Sequence, residues 1–258
     1  MPRFAANLSM MFNEWSFLDR FAAAADAGFK AVEFLFPYDF SPEDVAARLK
    51  AAGLEQALFN LPPGDWAAGE RGIAALPGRQ DEFRASVAKA LDYALATGVR
   101  RLHMMSGLAP SGSVEAGALY RDAVRFACAT MAPHGIDIVL EPINRRDMPG
   151  YFLNDFGMAA GIIEELGLPN LKLQYDIYHR QILHGDVIKS LEALLPIIGH
   201  VQIASVPLRN EPGTGELNDF RIFDELDRLG YAGFVGCEYR PAGATLDGLS
   251  WMKQTALR

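Results

Sequence analysis

The stretch IDIVLEPIN, residues 136–144, is a short apolar run that stops on an acid, Glu141. Four to eight apolar, β-branched residues ended by a turn signal mark a strand buried on both faces. The same pattern returns in LKLQYD, ending at Asp176, in HVQIA, which carries Gln202, and in FVGCE, ending at Glu238. These four polar positions are 35, 26 and 36 residues apart (141 to 176, 176 to 202, 202 to 238). One parallel strand with its helical crossover occupies about 30 residues, so each step reads as one strand–helix unit.

The units continue toward the N-terminus. Strands are predicted in FAANLS (4–9), AVEF (31–34), EQALF (55–59) and RRLHMM (100–105). Between them lie helical stretches. In SFLDRFAAAADAG, Phe17, Leu18, Phe21 and Ala25 form one face and Gly28 ends it. In SPEDV, Ser41 suits the N-cap, Pro42 the first turn, and Asp44 is the acid three residues on. Further helices are expected at about 79–96, 114–132, 154–166, 186–195, 218–229 and 246–253. Eight such units predict an α/β fold, a single (β/α)₈ barrel over residues 1–258, the usual length for this architecture. No Ser/Pro/Gly-rich linker divides the chain. A doubly wound sheet would often carry a nucleotide-binding loop, but GxGxxG and the P-loop motif are both absent, so no nucleotide cofactor is expected.

The bulk numbers narrow the partners. The chain has 24 basic and 32 acidic residues, a net charge of −8, which opposes long-range attraction of nucleic acid but not local capture of a small anion. Two cysteines, Cys128 and Cys237, build neither a zinc site nor a disulfide framework, and both read as buried thiols. No stretch approaches the roughly 20 apolar residues of a membrane span. The opening MPRFAANLSMMF lacks the shape of a signal peptide, so a cytoplasmic location is expected and no membrane partner. A homo-oligomer is compatible with the sequence. The Gly- and Pro-rich segment NLPPGDWAAGERGIAALPG (60–78) is long for a strand–helix loop and is expected to form a lid or binding loop, although Trp66 and Ile73 could simply pack it down.

Polar groups at the C-terminal strand ends of a barrel converge on its mouth, the face that carries chemistry. Each has a structural alternative: Glu141 bound to an arginine, Asp176 capping a turn, Gln202 as a bonded core amide, Glu238 paired with Arg240. Yet buried carboxylates are costly unless paired or metal-bound, and three together repel. A divalent cation would resolve this. Glu141, Asp176, Gln202 and Glu238 offer only hard oxygen ligands, which suits Mg²⁺ or Mn²⁺ better than Zn²⁺. His179, three residues after Asp176, is a candidate to polarise a substrate oxygen. Arg209, after the seventh strand, is a candidate to hold a substrate carboxylate. Asn60 and His103 are further candidates for substrate contact, and Asn7 and Glu33 are expected to face the mouth. Two carboxylates flanking a substrate suit proton transfer between adjacent carbons. Glu141 and Glu238 form the natural pair, leaving Asp176 and Gln202 to hold the ion.

The stretches NLSMMF, VEFLFPYDF, LFNLPPGDWAAGERGIAALPGR, LEPINRRDMPGYF, QYDIYHRQ, EPGTGELN and GCEYRPAG span essentially the whole chain. Together they resemble the hydroxypyruvate isomerase family within the xylose-isomerase-like barrels. The resemblance implies catalytic glutamates at Glu141 and Glu238, metal positions at Glu141, Asp176, Gln202 and Glu238, a substrate-contacting histidine at His179 and a basic contact at Arg209. Gln202 fits this branch, whereas many sugar-acting relatives carry histidine there. The implied substrate is a small anionic hydroxy-oxo acid: hydroxypyruvate would be interconverted with 2-hydroxy-3-oxopropanoate through an enediolate, with Arg209 or a loop donor binding the carboxylate. The alternatives are a 2-oxo-tetronate isomerase, whose substrate is one carbon longer, a sugar epimerase, an endonuclease of the same superfamily and a non-catalytic acid-binding barrel. The endonuclease reading would need a histidine-rich site and a basic surface, against five histidines and the acidic charge.

Overall fold

The computed structural model describes residues 2–256. Eight strands pair in sequence order and close into a barrel: β1 (Arg3–Asn7), β2 (Ala31–Phe34), β3 (Glu55–Asn60), β4 (Arg101–His103), β5 (Asp137–Leu140), β6 (Leu171–Asp176), β7 (Ile198–Ile203) and β8 (Phe234–Cys237). All pairings are parallel, and β1 closes on β8 with Ala6 opposite Cys237. The α-helices are α1 (Arg20–Asp26), α2 (Pro42–Ala52), α3 (Gln80–Thr97), α4 (Val114–Met131), α5 (Phe156–Leu166), α6 (Ile177–Leu183), α7 (Val187–Leu194), α8 (Asp219–Arg228) and α9 (Ser250–Ala256). Their buried apolar faces pack against the outer face of the barrel. No helix among the described residues is long and apolar enough to cross a membrane.

Local chemistry explains most element ends. Ser41 caps α2, its hydroxyl accepting from Asp44 N at 3.1 Å, and Gly53 closes that helix in the left-handed conformation. Asp155, one residue after the expected start, caps α5 by accepting from Met158 N at 2.8 Å. Two differences from the sequence reading bear on the site. Strands β5 and β8 stop at Leu140 and Cys237, so Glu141 and Glu238 are the first residues beyond them. The chain also turns from β6 directly into α6, a helix of seven residues that the sequence reading did not anticipate. Seven residues are too few to display a helical period in sequence.

A polar layer crosses the barrel interior. β2 and β7 are separated by β1 and β8 in the closed order, so a side-chain contact between them must span the lumen. Glu33 of β2 makes that contact. Its Oε2 lies 2.6 Å from His200 Nε2, and its Oε1 accepts from Gln202 Nε2 at 2.8 Å and from Asn7 Nδ2 at 2.9 Å. Gly236 of β8 makes room for it, since a Cβ there would sit 2.1 Å from Glu33 Oε2. A strand glycine at a point of close approach trades intrinsic strand stability for space. Near the N-terminal end of the barrel, Ala5, Ala31, Ala57 and Phe234 pack into a small apolar cluster.

Gly236→Ala is expected to overpack this layer and to destabilise the fold by about 1–3 kcal/mol. The measurement is urea unfolding. A lower midpoint with an unchanged slope is expected, and a wild-type midpoint would show that the Glu33 carboxylate is not confined by β8.

Candidate active site

Strand geometry delivers the expected side chains to one place. Asn60, His103, Glu141, His179, Arg209 and Glu238 all line a cavity of about 220 Å³ at the C-terminal end of the barrel. Asp176 and Gln202 are almost fully buried beside them. Carboxylate oxygens of Glu141, Asp176 and Glu238 and a ring nitrogen of His179 lie within 4.8 Å of one another. The loop predicted as a binding element contributes Trp66 and Arg71 to the same wall. A wider, open cavity of about 940 Å³ adjoins it, sharing Met10, Leu35, Trp66 and Arg240, and forms the approach from solvent.

The acids are not alike in their partners. Asp176 does two things at once. Its Oδ1 caps α6, accepting from Tyr178 N at 2.8 Å, while Oδ2 has no hydrogen-bond partner. Glu141 Oε1 is likewise buried without a hydrogen-bond partner, and Glu141 Oε2 lies 3.5 Å from His103 Nε2. Glu238 pairs with Arg209, Oε2 to Nη2 at 2.6 Å, rather than with Arg240. Arg209 Nη2 also lies 3.7 Å from Asp176 Oδ2, its Nη1 lies 3.8 Å from Asp147 Oδ2, and its guanidinium stands 4.8 Å above the Tyr178 ring. Its backbone is held in the left-handed region at φ 59°, a conformation that costs free energy in a non-glycine residue and is found at sites where surroundings enforce it.

Burial pushes the carboxyls of Glu141, Asp176 and Glu238 above their ordinary range. The neighbouring acids Glu238 and Asp176 add to the rise at Glu141. Arg209 opposes it at all three. For Arg209 itself, burial works against the charge, but Glu238, Asp176 and Glu141 outweigh burial and hold the guanidinium more firmly protonated. Burial and then the Arg209 charge depress His179 well below the usual imidazole range. Burial, aided by His200, depresses His103 to about 3. Both imidazoles are therefore neutral at pH 7.

His179 has a defined tautomer. The Asn144 side-chain oxygen accepts from Arg146 N and Asp147 N, each at 2.9 Å, so its amide nitrogen must face the other way. That nitrogen lies 2.7 Å from His179 Nδ1. Nδ1 is then an acceptor, and the proton sits on Nε2, which lies 3.5 Å from Asp176 Oδ2 and 3.8 Å from Glu141 Oε1. Asn144 was not singled out in the sequence. Only its place three residues after Glu141, in the loop beyond a strand end, could have flagged it.

Gln202 is held from both sides. Its Nε2 donates to Glu33, and its Oε1 accepts from Gln174 Nε2 at 2.6 Å, leaving that carbonyl one further lone pair. Gln174 is near enough to Glu141 to oppose slightly the rise of its carboxyl. Glu33 and Asn7, expected at the mouth, instead form the layer within the lumen. Cys128 and Cys237 are buried as expected. Burial pushes the Cys128 thiol up to about 12 and raises Cys237 still more clearly, which removes both as nucleophiles.

Two buried carboxylate oxygens, Glu141 Oε1 and Asp176 Oδ2, lack hydrogen-bond partners, and the three acids stand together in one buried spot. The buried acidic group could hold a metal ion.

The chain is 55% identical over 255 residues to the 2-oxo-tetronate isomerase of Cupriavidus necator, covering 98% of each chain. It is 46% identical over 254 residues to the hydroxypyruvate isomerase of Escherichia coli, again covering 98% of each. A crystal structure from Brucella melitensis, solved under the name AP endonuclease, family 2, superposes with a TM-score of 0.96 at 51% identity, covering 98% of this chain and 99% of that one. Residues 21–255 match the xylose isomerase-like TIM barrel family, and the chain belongs to that family.

Proposed function

We propose that this protein is an aldose–ketose isomerase of short 2-oxo-3-hydroxy acids, converting hydroxypyruvate and 2-hydroxy-3-oxopropanoate into one another. The observation that carries this reading is the pair of buried glutamates, Glu141 beyond β5 and Glu238 beyond β8, facing one small cavity. One glutamate takes the proton from C3 of hydroxypyruvate, and the C–H electron pair becomes the C2–C3 double bond of an enediolate. The other returns a proton to C2, and the hydroxyl proton passes from O3 to O2 as C3 becomes the carbonyl. Run backwards, the two glutamates exchange roles.

Glu141, Asp176 and Glu238 would hold the cation, Mg²⁺ or Mn²⁺ by the hardness of these ligands, with Gln202 Oε1 as a fourth oxygen. When bound, the ion supplies positive charge that lowers the cost of negative charge developing on the two substrate oxygens. His179 donates its Nε2 proton toward one of those oxygens, and Asn144 keeps that proton in place. His103 and Asn60 complete the wall. Arg209 balances the acids and fixes Glu238.

A second reading keeps the same chemistry with a hydroxymethyl group on C3, the 2-oxo-tetronate reaction. The 55% identity to an enzyme of that name favours it. An endonuclease reading is supported only by the name given to the Brucella structure. The donor set here holds one histidine among three acids, and the net charge of −8 repels a polyanion.

The deciding assay is turnover of hydroxypyruvate and of 2-oxo-tetronate, each with and without chelator. Activity on at least one, lost to chelator and restored by Mg²⁺ or Mn²⁺, is expected; ligand binding without any turnover would sink the isomerase reading. Glu141→Gln and Glu238→Gln should each lower kcat by about 10²–10⁴-fold while the protein stays folded by circular dichroism. Asn144→Leu removes the side-chain donor to His179 Nδ1 at 2.7 Å and leaves only the longer backbone N–H contact of residue 144 at 3.4 Å. Nitrogen NMR of the imidazoles should show one Nε2–H tautomer for His179 in the wild type and a mixture in the variant, with activity down about 10- to 100-fold. An unchanged tautomer would remove the Asn144 side chain from the mechanism.

A further inference from the structure

We propose that Arg71, in the loop between β3 and α3, is the anchor for the carboxylate of the substrate, a role for which the sequence offered Arg209 or a loop donor. The inference rests on the functional reading above. An anionic substrate entering a cavity walled by Glu141, Glu238 and Asp147 needs a cation whose charge is not already matched. Arg209 does not meet that need, because its two terminal nitrogens are divided among Glu238, Asp176 and Asp147.

Arg71 lines the same cavity and has no carboxylate within 4.0 Å among the described residues. Its Nη1 donates to two neutral acceptors, Trp66 O at 3.1 Å and Glu70 O at 2.7 Å, and the guanidinium lies 3.9 Å from the centre of the Trp66 ring. These contacts fix the plane of the guanidinium and leave its Nε and Nη2 edge without a partner among the described residues. That edge is a two-pronged donor matched to a carboxylate.

The neighbouring Glu70 would be the natural partner of Arg71, and the fold keeps it away. Both Glu70 oxygens are taken by Arg79, and Oε2 also accepts from Asp65 N at 2.6 Å. The loop is braced as well. Gly72 N donates to Pro63 O at 2.8 Å, Gly107 N to Arg71 O at 3.1 Å, and Ala75 N to Ser106 O at 2.8 Å. Gly72 sits at φ +98°, and a Cβ there would lie 2.4 Å from Met105 O, so the loop backbone lies directly against the segment after β4. A donor edge held in place before the ligand arrives spends little binding energy on ordering.

The test compares wild type with Arg71→Met, Arg71→Lys and Arg240→Met. Arg240 is the control because it is an exposed arginine at the rim of the same cavity. Losing a bidentate, charge-assisted contact should raise KM for hydroxypyruvate in Arg71→Met by about 10- to 100-fold, with kcat changed far less. Arg71→Lys should fall between, and Arg240→Met should stay near wild type. Dihydroxyacetone, which carries a hydroxymethyl group in place of the carboxylate, provides the matched neutral substrate. Its kcat/KM should not change in Arg71→Met. D-glycerate, a hydroxy acid with no carbonyl to isomerise, gives a readout independent of turnover, and calorimetry should show its binding weakened in Arg71→Met. A wild type that turns over neither oxo acid overturns the isomerase reading alone, and glycerate binding then decides Arg71. Unaltered glycerate affinity in Arg71→Met, or a larger KM effect in Arg240→Met, overturns the anchor.

Discussion

Three carboxylates buried around one point constrain the whole mouth of this barrel. Glu141, Asp176 and Glu238 lose their hydration there and repel one another, and the surroundings are arranged to bear that cost. Arg209 is drawn in from the loop after β7, with its backbone in the left-handed region, so that one guanidinium reaches Glu238 and Asp176 together. Asp176 spends one oxygen on capping α6 and keeps the other free. The remaining unpaired oxygens are where a metal ion could be held. The same excess of negative charge is the ground for proposing Arg71, and not Arg209, as the cation for an anionic substrate.

A second polar layer lies within the barrel. Glu33 crosses the lumen from β2 to β7, and a carboxylate can only accept, so when ionised it turns the Gln202 amide nitrogen toward itself and the carbonyl toward Gln174. The orientation of a side chain at the site is thus set by a residue on the far side of the barrel. Gly236 is part of the arrangement, because any side chain there would displace the Glu33 carboxylate. Asn144 does the comparable service for His179 from a loop: its backbone-bound oxygen leaves only the amide nitrogen to face the ring.

Much of this was legible in order along the chain. The alternation of short apolar runs with amphipathic stretches foretold eight strand–helix units, since each parallel pair requires a crossover. The polar residues closing the last four units foretold which side chains would meet at the mouth. Glu141, Asp176, Glu238, His179 and Arg209 all came from that spacing or from the residues just beyond it. Other residues escaped notice. Asn144 and Arg71 lie in loops and carry no periodic signal, Gln174 shares the face of Asp176 two residues on but does not end its strand, and Glu33 was expected in another layer, because strand alternation tells the face of a side chain but not how far across a closed barrel it reaches.

The sequence by itself determined the architecture and the list of acids, because periodicity in a chain translates directly into which residues share a face and an end. Only the tertiary structure decided how those acids divide their partners. Arg209 matched to Glu238, Glu70 turned to Arg79, and Arg71 left with neutral acceptors are outcomes of distances between segments far apart in the chain. Electrostatic pairing falls steeply with separation and depends on burial, and neither quantity is written in the order of residues.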